Sequence, residues 1–104
     1  MSDGVENVTT LGGYQGEARR TVNRALTEDE RLLDAAAGLA EEAGEVLAHV
    51  RKHLFRGHPL DREAFTLELG DALWCLAIAA DTLGISLHDV ARRNVEKLRA
   101  RYPE

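Results

Sequence analysis

The stretch at residues 27–59, TEDERLLDAAAGLAEEAGEVLAHVRKHLFRGHP, decides the fold of this 104-residue chain. It opens with Thr-Glu-Asp-Glu, a capping box in which the first and fourth residues satisfy each other's backbone N–H groups at a helix start. Apolar residues then recur every three or four positions as far as Leu54, which is the stripe of an amphipathic helix. Gly57 and Pro59 interrupt the pattern. The stretch therefore predicts one long helix over 27–55 with a turn after it.

Three further helices are expected around this one. The first, over 14–26, is weakly patterned. The third starts at the N-cap Asp61 and ends at Gly84, and the fourth starts at Ser86 and ends near Arg101. Residues 1–13 show no period and are expected to form a flexible leader ahead of a single domain over 14–104. The chain is thus predicted to be all-α, a four-helix bundle-type protomer.

The predicted third helix is apolar on every side between Leu73 and Ala80. A helix of this kind is buried on every side, and four helices in a chain this short can hardly cover it. It is either a single central core helix or one that also packs against another subunit. We expect the second arrangement, and so a homo-oligomer, either a homodimer or a homotetramer.

Composition narrows the class of protein. The chain carries 13 Lys and Arg against 18 Asp and Glu, a net charge of -5, which argues against nonspecific binding to polymeric nucleic acid. Cys75 is the single cysteine, so neither an intramolecular disulfide nor a cysteine-based zinc site is expected. There is no signal-peptide pattern, and the apolar run at 72–80 is too short to cross a bilayer. We therefore expect a cytoplasmic protein with no membrane partner.

Two acidic motifs indicate the chemistry of the chain. They read Glu41-Glu42-Ala43-Gly44-Glu45 and Glu68-Leu69-Gly70-Asp71. A spacing of three puts Glu42 and Glu45 on one face of the second helix. The same spacing puts Glu68 and Asp71 on one face of the third helix. Both pairs are equidistant from the predicted turn, so an antiparallel hairpin brings them to the same height.

Four converging carboxylates predict a metal site. Beside apolar surface they would repel one another, which a hard cation relieves. Mg²⁺, with Mn²⁺ as the alternative, prefers oxygen ligands and is completed by waters or substrate phosphates. We therefore expect Glu42, Glu45, Glu68 and Asp71 to bind Mg²⁺, in a site suited to phosphate chemistry.

Other interpretations of these residues stay open. Glu is a good helix former, so the acidic face of the second helix can also be a solvated surface. A zinc site from His49 and His53 is conceivable, but the chain has no His-Glu-x-x-His pattern. Their place in the last turns of the helix favours rim residues that complement the dipole.

The predicted fourth helix carries one polar stripe that suits phosphate. Asn94, Lys97 and Arg101 stand at i, i+3 and i+7. A phosphate-bearing substrate at the metal site needs cations of this kind nearby. The alternative is a solvated helix end whose cations complement its dipole.

These motifs, with their flanking residues, resemble MazG-type all-α nucleoside triphosphate pyrophosphohydrolases, in a compact branch of that family. The matching segments are Tyr14-Gln15 with Ala18 and Thr21, residues 38–46, residues 68–74, and Asn94-x-x-Lys97-Leu98-x-x-Arg101-Tyr102-Pro103. They cover about residues 14–103. The resemblance implies Mg²⁺-dependent cleavage of a nucleoside triphosphate to the monophosphate and pyrophosphate. It also implies a helical bundle that assembles as a dimer or a pair of dimers.

Residue roles follow from the same resemblance. It implies that Glu42, Glu45, Glu68 and Asp71 are the metal ligands. Trp74 would lie near the nucleoside, and Asn94 and Lys97 would contact phosphate, with Arg101 beside them as a further cation. Glu41 or Glu42 would be the general base for the attacking water. Two residues depart from the compact branch: Glu41, where Gly is frequent, and Cys75, where an aromatic residue often follows Trp74.

Two other functions stay open at this point. One is hydrolysis of a phosphoribosyl nucleotide, of the phosphoribosyl-ATP type, by a related helical fold. The other is a non-catalytic helical oligomer that binds nucleotide or metal without turnover.

Overall fold

The computed structural model describes residues 5–104, apart from the side chains of residues 6 and 7. It contains four α-helices: α1 (Leu11–Arg19), α2 (Glu28–Arg56), α3 (Arg62–Thr82) and α4 (Leu87–Arg101). A short 3₁₀ helix, Val5–Thr9, precedes α1. There is no strand among the described residues, so the all-α prediction is confirmed.

The starts of α2, α3 and α4 are the capped positions that the sequence predicts. The backbone N–H of Thr27 donates to Glu30 Oε1 at 2.8 Å, and the N–H of Glu30 donates to Thr27 Oγ1 at 3.2 Å. Asp61 and Ser86 cap α3 and α4 by accepting the N–H three residues on. Gly57 ends α2 with φ at 68°, a left-handed conformation that glycine adopts without steric cost.

The predicted limits of the first helix are wrong at both ends. α1 begins at Leu11, within the predicted leader, because Thr10 caps it by accepting from the N–H of Gly13 at 2.9 Å. It ends at Arg19, well before the predicted end at Leu26. The chain turns again a few residues later, where the side chain of Asn23 accepts from the N–H of Ala25. Residues 1–4 of the predicted leader lie outside the described residues.

Buried Gln15 fixes α1 against the other helices. Its Oε1 accepts from the N–H of Leu87 at 2.8 Å, while its Nε2 donates to the carbonyl oxygens of Ile85 and Ala77 at 3.0 and 3.3 Å. Nearby, Arg19 makes a two-pronged ion pair with Asp81. These contacts hold α1 across α3, so the residues of α1 next to Gln15 have a fixed place on α3.

The chain leaves much of its apolar surface uncovered. α2 lies alongside α3 only, while α1 and α4 lie against α3 and against each other. The exposed surface is 7887 Å², against about 5,800 Å² for a compact monomer of this mass. The radius of gyration is 16.1 Å, against about 13 Å for a compact domain of this length. As the sequence indicates, one chain does not cover α3, and Leu76 remains 45% exposed.

No single helix in the described part of the chain is both long and apolar enough to cross a membrane. By length and composition alone, α3 and α4 pass that test only as a pair, which is bent by 103° at the junction.

Candidate functional site

The α2–α3 hairpin brings three of the four predicted metal ligands together. Glu42 on α2 faces Glu68 and Asp71 on α3, and one carboxylate oxygen from each lies within 4.8 Å of the others. Glu42 and Glu68 are half-buried, whereas Asp71 is exposed. We call these three residues the acidic cluster. It is the one group of this kind among the described residues, and it contains no histidine.

Glu42 is the electrostatic centre of the acidic cluster. A hydrogen bond shared with Glu68, followed by burial and by the charges of neighbouring carboxylates, raises the pKa of Glu42 from 4.5 to about 7. Its Oε2 atom is buried and has no hydrogen-bond partner among the described residues. A buried oxygen without a donor is costly unless a cation or a proton meets it. The residues present therefore fit a hard divalent cation.

A pH effect follows from the raised pKa of Glu42. Without metal, the folded chain holds a proton that the unfolded chain releases above its ordinary pKa of 4.5. The folded state thus binds more protons, and the free energy of unfolding falls as pH rises from about 5 through about 7. Mg²⁺ displaces the same proton, so its affinity rises over that range. Thermal melting and Mg²⁺ titration at several pH values measure both trends.

Glu42→Gln tests the origin of this pH effect. The variant is expected to lose the fall in metal-free stability across this pH range, because an amide does not titrate. Glu63 is an acidic residue on α3 outside the acidic cluster. Glu63→Gln is therefore the matched control and is expected to keep the fall in stability. An unchanged pH profile in Glu42→Gln would show that another group is responsible.

The two remaining acidic residues of the α2 motif stand at the edge of this arrangement. Glu45 is exposed, one turn beyond Glu42, and is not among the three grouped ligands. Glu41 is exposed as well, and its charge contributes to the raised pKa of Glu42. None of the ion pairs formed by described residues involves either glutamate or the acidic cluster. In the single chain this region is therefore negative, with no cation bonded to it.

Trp74, on α3, is hydrogen-bonded to the last turn of α1 and to the segment that follows it. Its indole N–H donates to Thr21 Oγ1 at 2.8 Å and lies 3.2 Å from the carbonyl oxygen of Ala18. The side chain is half-buried, three residues along α3 from Asp71. These two hydrogen bonds fix the orientation of the ring on the residue for which the family resemblance implies a nucleoside contact.

Tyr14 lies near the acidic cluster, although its sequence pattern indicated no role for it. It is half-buried on α1, next to Gln15. Burial raises the pKa of the Tyr14 phenol, and the charge of Asp71 raises it further. The sequence signal was the Tyr14-Gln15 pair, but only the crossing of α1 over α3 brings Tyr14 near Asp71.

The polar stripe of α4 lies apart from the acidic cluster in the single chain. Asn94 and Lys97 line a groove of about 640 Å³ whose walls come from α4 and Ile85, with no residue of the acidic cluster. Arg101 is exposed at the last turn of α4. One chain therefore does not place these three residues against the carboxylates.

Two of the histidines and the single cysteine make contacts that belong to the packing of the fold. His49 contacts Phe65 edge to face, with ring centres 6.5 Å apart, and His53 Nδ1 lies 2.8 Å from the carbonyl oxygen of His58. Cys75 is buried, and burial raises the pKa of its thiol, with the charge of Glu42 adding to the effect. A Cβ atom at Gly38 would lie 3.0 Å from the Cys75 sulfur, so α2 and α3 approach closely one turn below the acidic cluster.

Comparison with known proteins assigns a family to this chain. The family model described as MazG nucleotide pyrophosphohydrolase domain matches residues 31–104. An uncharacterized protein of Bacillus subtilis (strain 168), YvdC, is 37% identical in an alignment of 73 residues that covers 62% of this chain and 69% of that protein. The Gene 37 protein of Mycobacterium phage L5 is 36% identical in an alignment of 76 residues that covers 69% of this chain and 67% of that protein. No solved structure gives a significant match.

Proposed function

The chain belongs to the MazG nucleotide pyrophosphohydrolase family and is a hydrolase of phosphoric anhydrides, and from this premise we propose its reaction. The protein converts a nucleoside or deoxynucleoside triphosphate and water to the monophosphate and pyrophosphate, with Mg²⁺ as cofactor. It acts on free nucleotides in the cytoplasm, with no polymeric nucleic acid or membrane as partner.

The convergence of Glu42, Glu68 and Asp71, with the unpartnered buried oxygen of Glu42, is the observation that supports this proposal. Glu45, one turn along α2, is the fourth proposed ligand. When bound, Mg²⁺ neutralises triphosphate charge and lowers the pKa of a coordinated water. Mn²⁺ accepts the same oxygen ligands and is the alternative ion.

The side chains then position the substrate and move one proton. Glu41 or Glu42 takes the proton from the attacking water. The water oxygen bonds to the α- or β-phosphorus, and the bond from that phosphorus to the oxygen that bridges the α- and β-phosphorus breaks, so the monophosphate and pyrophosphate separate. Trp74 borders the nucleoside. Asn94, Lys97 and Arg101 bind the phosphate oxygens, on which negative charge develops.

We also propose that the protein is a homo-oligomer. Exposed leucines stand seven or fourteen residues apart along both long helices, which are multiples of the repeat of a helix-packing seam. They are Leu33, Leu47 and Leu54 on α2, and Leu69 and Leu76 on α3 with Leu83 at its C-cap. We call this set the leucine seam. The surface in excess of a compact monomer, about 2,000 Å², is of the size that stable subunit interfaces bury. A dimer or tetramer would also allow α4 of one copy to approach the acidic cluster of another.

A nucleotide panel tests the proposed reaction. We expect pyrophosphate and monophosphate, with no diphosphate product, from one or more nucleoside triphosphates in the presence of Mg²⁺, and no turnover in a chelator. Chromatography of the products separates these outcomes. Turnover of phosphoribosyl-ATP alone would replace the proposed substrate, and binding without any product would indicate a non-catalytic nucleotide-binding protein.

A further inference from the structure

The side of α2 that faces away from α3 is apolar and exposed. At its centre stands Ala40, two residues before Glu42 and so about 200° away from it around the helix. Leu33 and Leu47 lie to either side of Ala40 and are 70% and 57% exposed. Small residues complete this stripe, and a charged residue stands at each end of it. Its members, all exposed, are Asp29, Leu33, Ala36, Ala40, Gly44, Leu47 and Arg51. We call this set the α2 stripe.

The α2 stripe has the same spacing in both directions from Ala40. Ala36 and Gly44 stand four residues from it, the two leucines seven, and the two charged residues eleven. The mean step of about 3.7 residues is close to the 3.6 of an α-helix, so the stripe stays on one side over about 33 Å of helix. Such a surface is self-complementary, because a two-fold axis at Ala40 sets each residue opposite its counterpart in a second, antiparallel copy.

Opposite charges stand at the two ends of the α2 stripe. The first turn of α2 holds Glu28, Asp29 and Glu30, whereas Arg51 and Lys52 lie near its other end. Asp29 and Arg51 make no ion pair with any residue that the structure describes. Antiparallel copies bring Asp29 of each chain to Arg51 of the other, whereas parallel copies would oppose like charges at both ends.

Resting on the proposed homo-oligomer, we infer that the α2 stripe is the contact between two copies of this chain, packed antiparallel about a two-fold axis at Ala40. Leu33 of each copy then packs beside Leu47 of the other, on both sides of the axis. In the single chain a Cβ atom at Gly44 would meet nothing within 4 Å. The small residues at the centre allow the helices to approach to the short end of the roughly 8–10 Å range of packed helices. A partner of another sequence would not need a stripe with the same spacing in both directions.

The acidic cluster stays outside this contact. Glu42 shares a hydrogen bond with Glu68 on α3 and stands nearly opposite Ala40 around α2, so an axis at Ala40 leaves the carboxylates uncovered. The leucines of α3 also lie outside the α2 stripe and are available for a second contact, which a tetramer requires. Joining two copies covalently at the axis is therefore expected to leave pyrophosphate release unchanged.

A disulfide between identical positions tests the axis. Ala40 is the one position of the α2 stripe that meets its own counterpart, within the reach of a disulfide. Ala40→Cys, combined with Cys75→Ala to remove the native thiol, is expected to link two chains when oxidised glutathione accepts the electrons. Leu33→Cys in the same background puts the two sulfurs about 20 Å apart along the helices and is expected to form no link. Leu33→Cys with Leu47→Cys is expected to restore it, as non-reducing electrophoresis measures.

An exchange of charges tests the antiparallel pairing independently. Asp29→Lys and Arg51→Glu each turn two attractive contacts into two repulsive ones, so each alone is expected to raise the dissociation constant of the dimer about tenfold or more. The two substitutions together restore opposite charges and are expected to restore the wild-type constant. Arg62→Glu changes an exposed cation outside the stripe and is expected to have no effect. Light scattering over a range of protein concentrations measures the constants.

Failure of this inference and failure of the proposed function give different results. An oligomer that forms no disulfide through Ala40→Cys, or in which the double charge variant is as weak as the single ones, overturns the inference and leaves the homo-oligomer in place. Loss of pyrophosphate release on oxidation of Ala40→Cys overturns it as well, because the contact would then lie at the acidic cluster. A wild-type chain that is monomeric throughout contradicts both, whereas absence of turnover in an oligomer that forms the disulfide contradicts the proposed reaction alone.

Discussion

Replacing Asp71 by Asn is expected to lower kcat/KM for pyrophosphate release about a hundredfold or more, the usual cost of removing one electrostatic partner from an active site. The substitution keeps the size of the side chain and removes the negative charge that Asp71 brings next to Glu42 and Glu68. With less negative charge the acidic cluster holds Mg²⁺ more weakly, and the substrate phosphates lose their counter-charge. Steady-state assays over a range of Mg²⁺ concentrations measure the effect.

Stability separates loss of the site from loss of the fold. Asp71 is exposed, and its charge is one cause of the raised pKa of Glu42, so Asp71→Asn relieves repulsion. Without metal, the variant is therefore expected to melt at or above the melting temperature of the wild type. In the assays with Mg²⁺ it is nevertheless expected to lose its activity. Glu63→Gln, on the same helix, is expected to retain activity. Wild-type activity in Asp71→Asn would contradict the assignment of the acidic cluster as the metal site.

Replacing Leu76 by Glu is expected to convert the proposed oligomer to smaller species. In the single chain Leu76 is 45% exposed and stands at the middle of the leucine seam on α3. An uncompensated carboxylate in a subunit interface costs about 3 to 5 kcal/mol, which is a factor of about a hundred or more in the dissociation constant. Light scattering with size-exclusion chromatography measures the mass over a range of protein concentrations.

A second variant in the leucine seam and a control variant outside it test the same prediction. Leu47→Glu, in the leucine seam of α2, is expected to have the same effect, because the proposed interface includes the leucines of both helices. Val8→Glu changes an exposed apolar residue outside the seam and is expected to leave the mass unchanged. A wild-type protein that is monomeric at all concentrations would contradict the homo-oligomer.

Local signals in the sequence were sufficient for most of the helices, since each helix start depends on a few adjacent atoms. The capping box of Thr27 and the side chains of Asp61 and Ser86 satisfy N–H groups three residues away, so their patterns predict helix starts directly. The first helix was placed wrongly because its apolar period is weak. Its start depends on the cap at Thr10, and it ends at Arg19 before the turn at Asn23.

The sequence by itself determined that the chain is helical and that the acidic pairs of α2 and α3 lie at one height, and of the four predicted ligands Glu42, Glu68 and Asp71 come together while Glu45 stays at the edge. Residues equidistant from the turn of an antiparallel hairpin must lie at one height, and a spacing of three keeps each helix's pair on one face. Only the tertiary structure decided which residues surround the acidic cluster. The crossing of α1 over α3 is set by the buried hydrogen bonds of Gln15, which join residues far apart in the chain. The separation of Lys97 from the carboxylates likewise depends on the bend between α3 and α4, because the angle between two packed helices comes from side-chain contacts that no local spacing encodes.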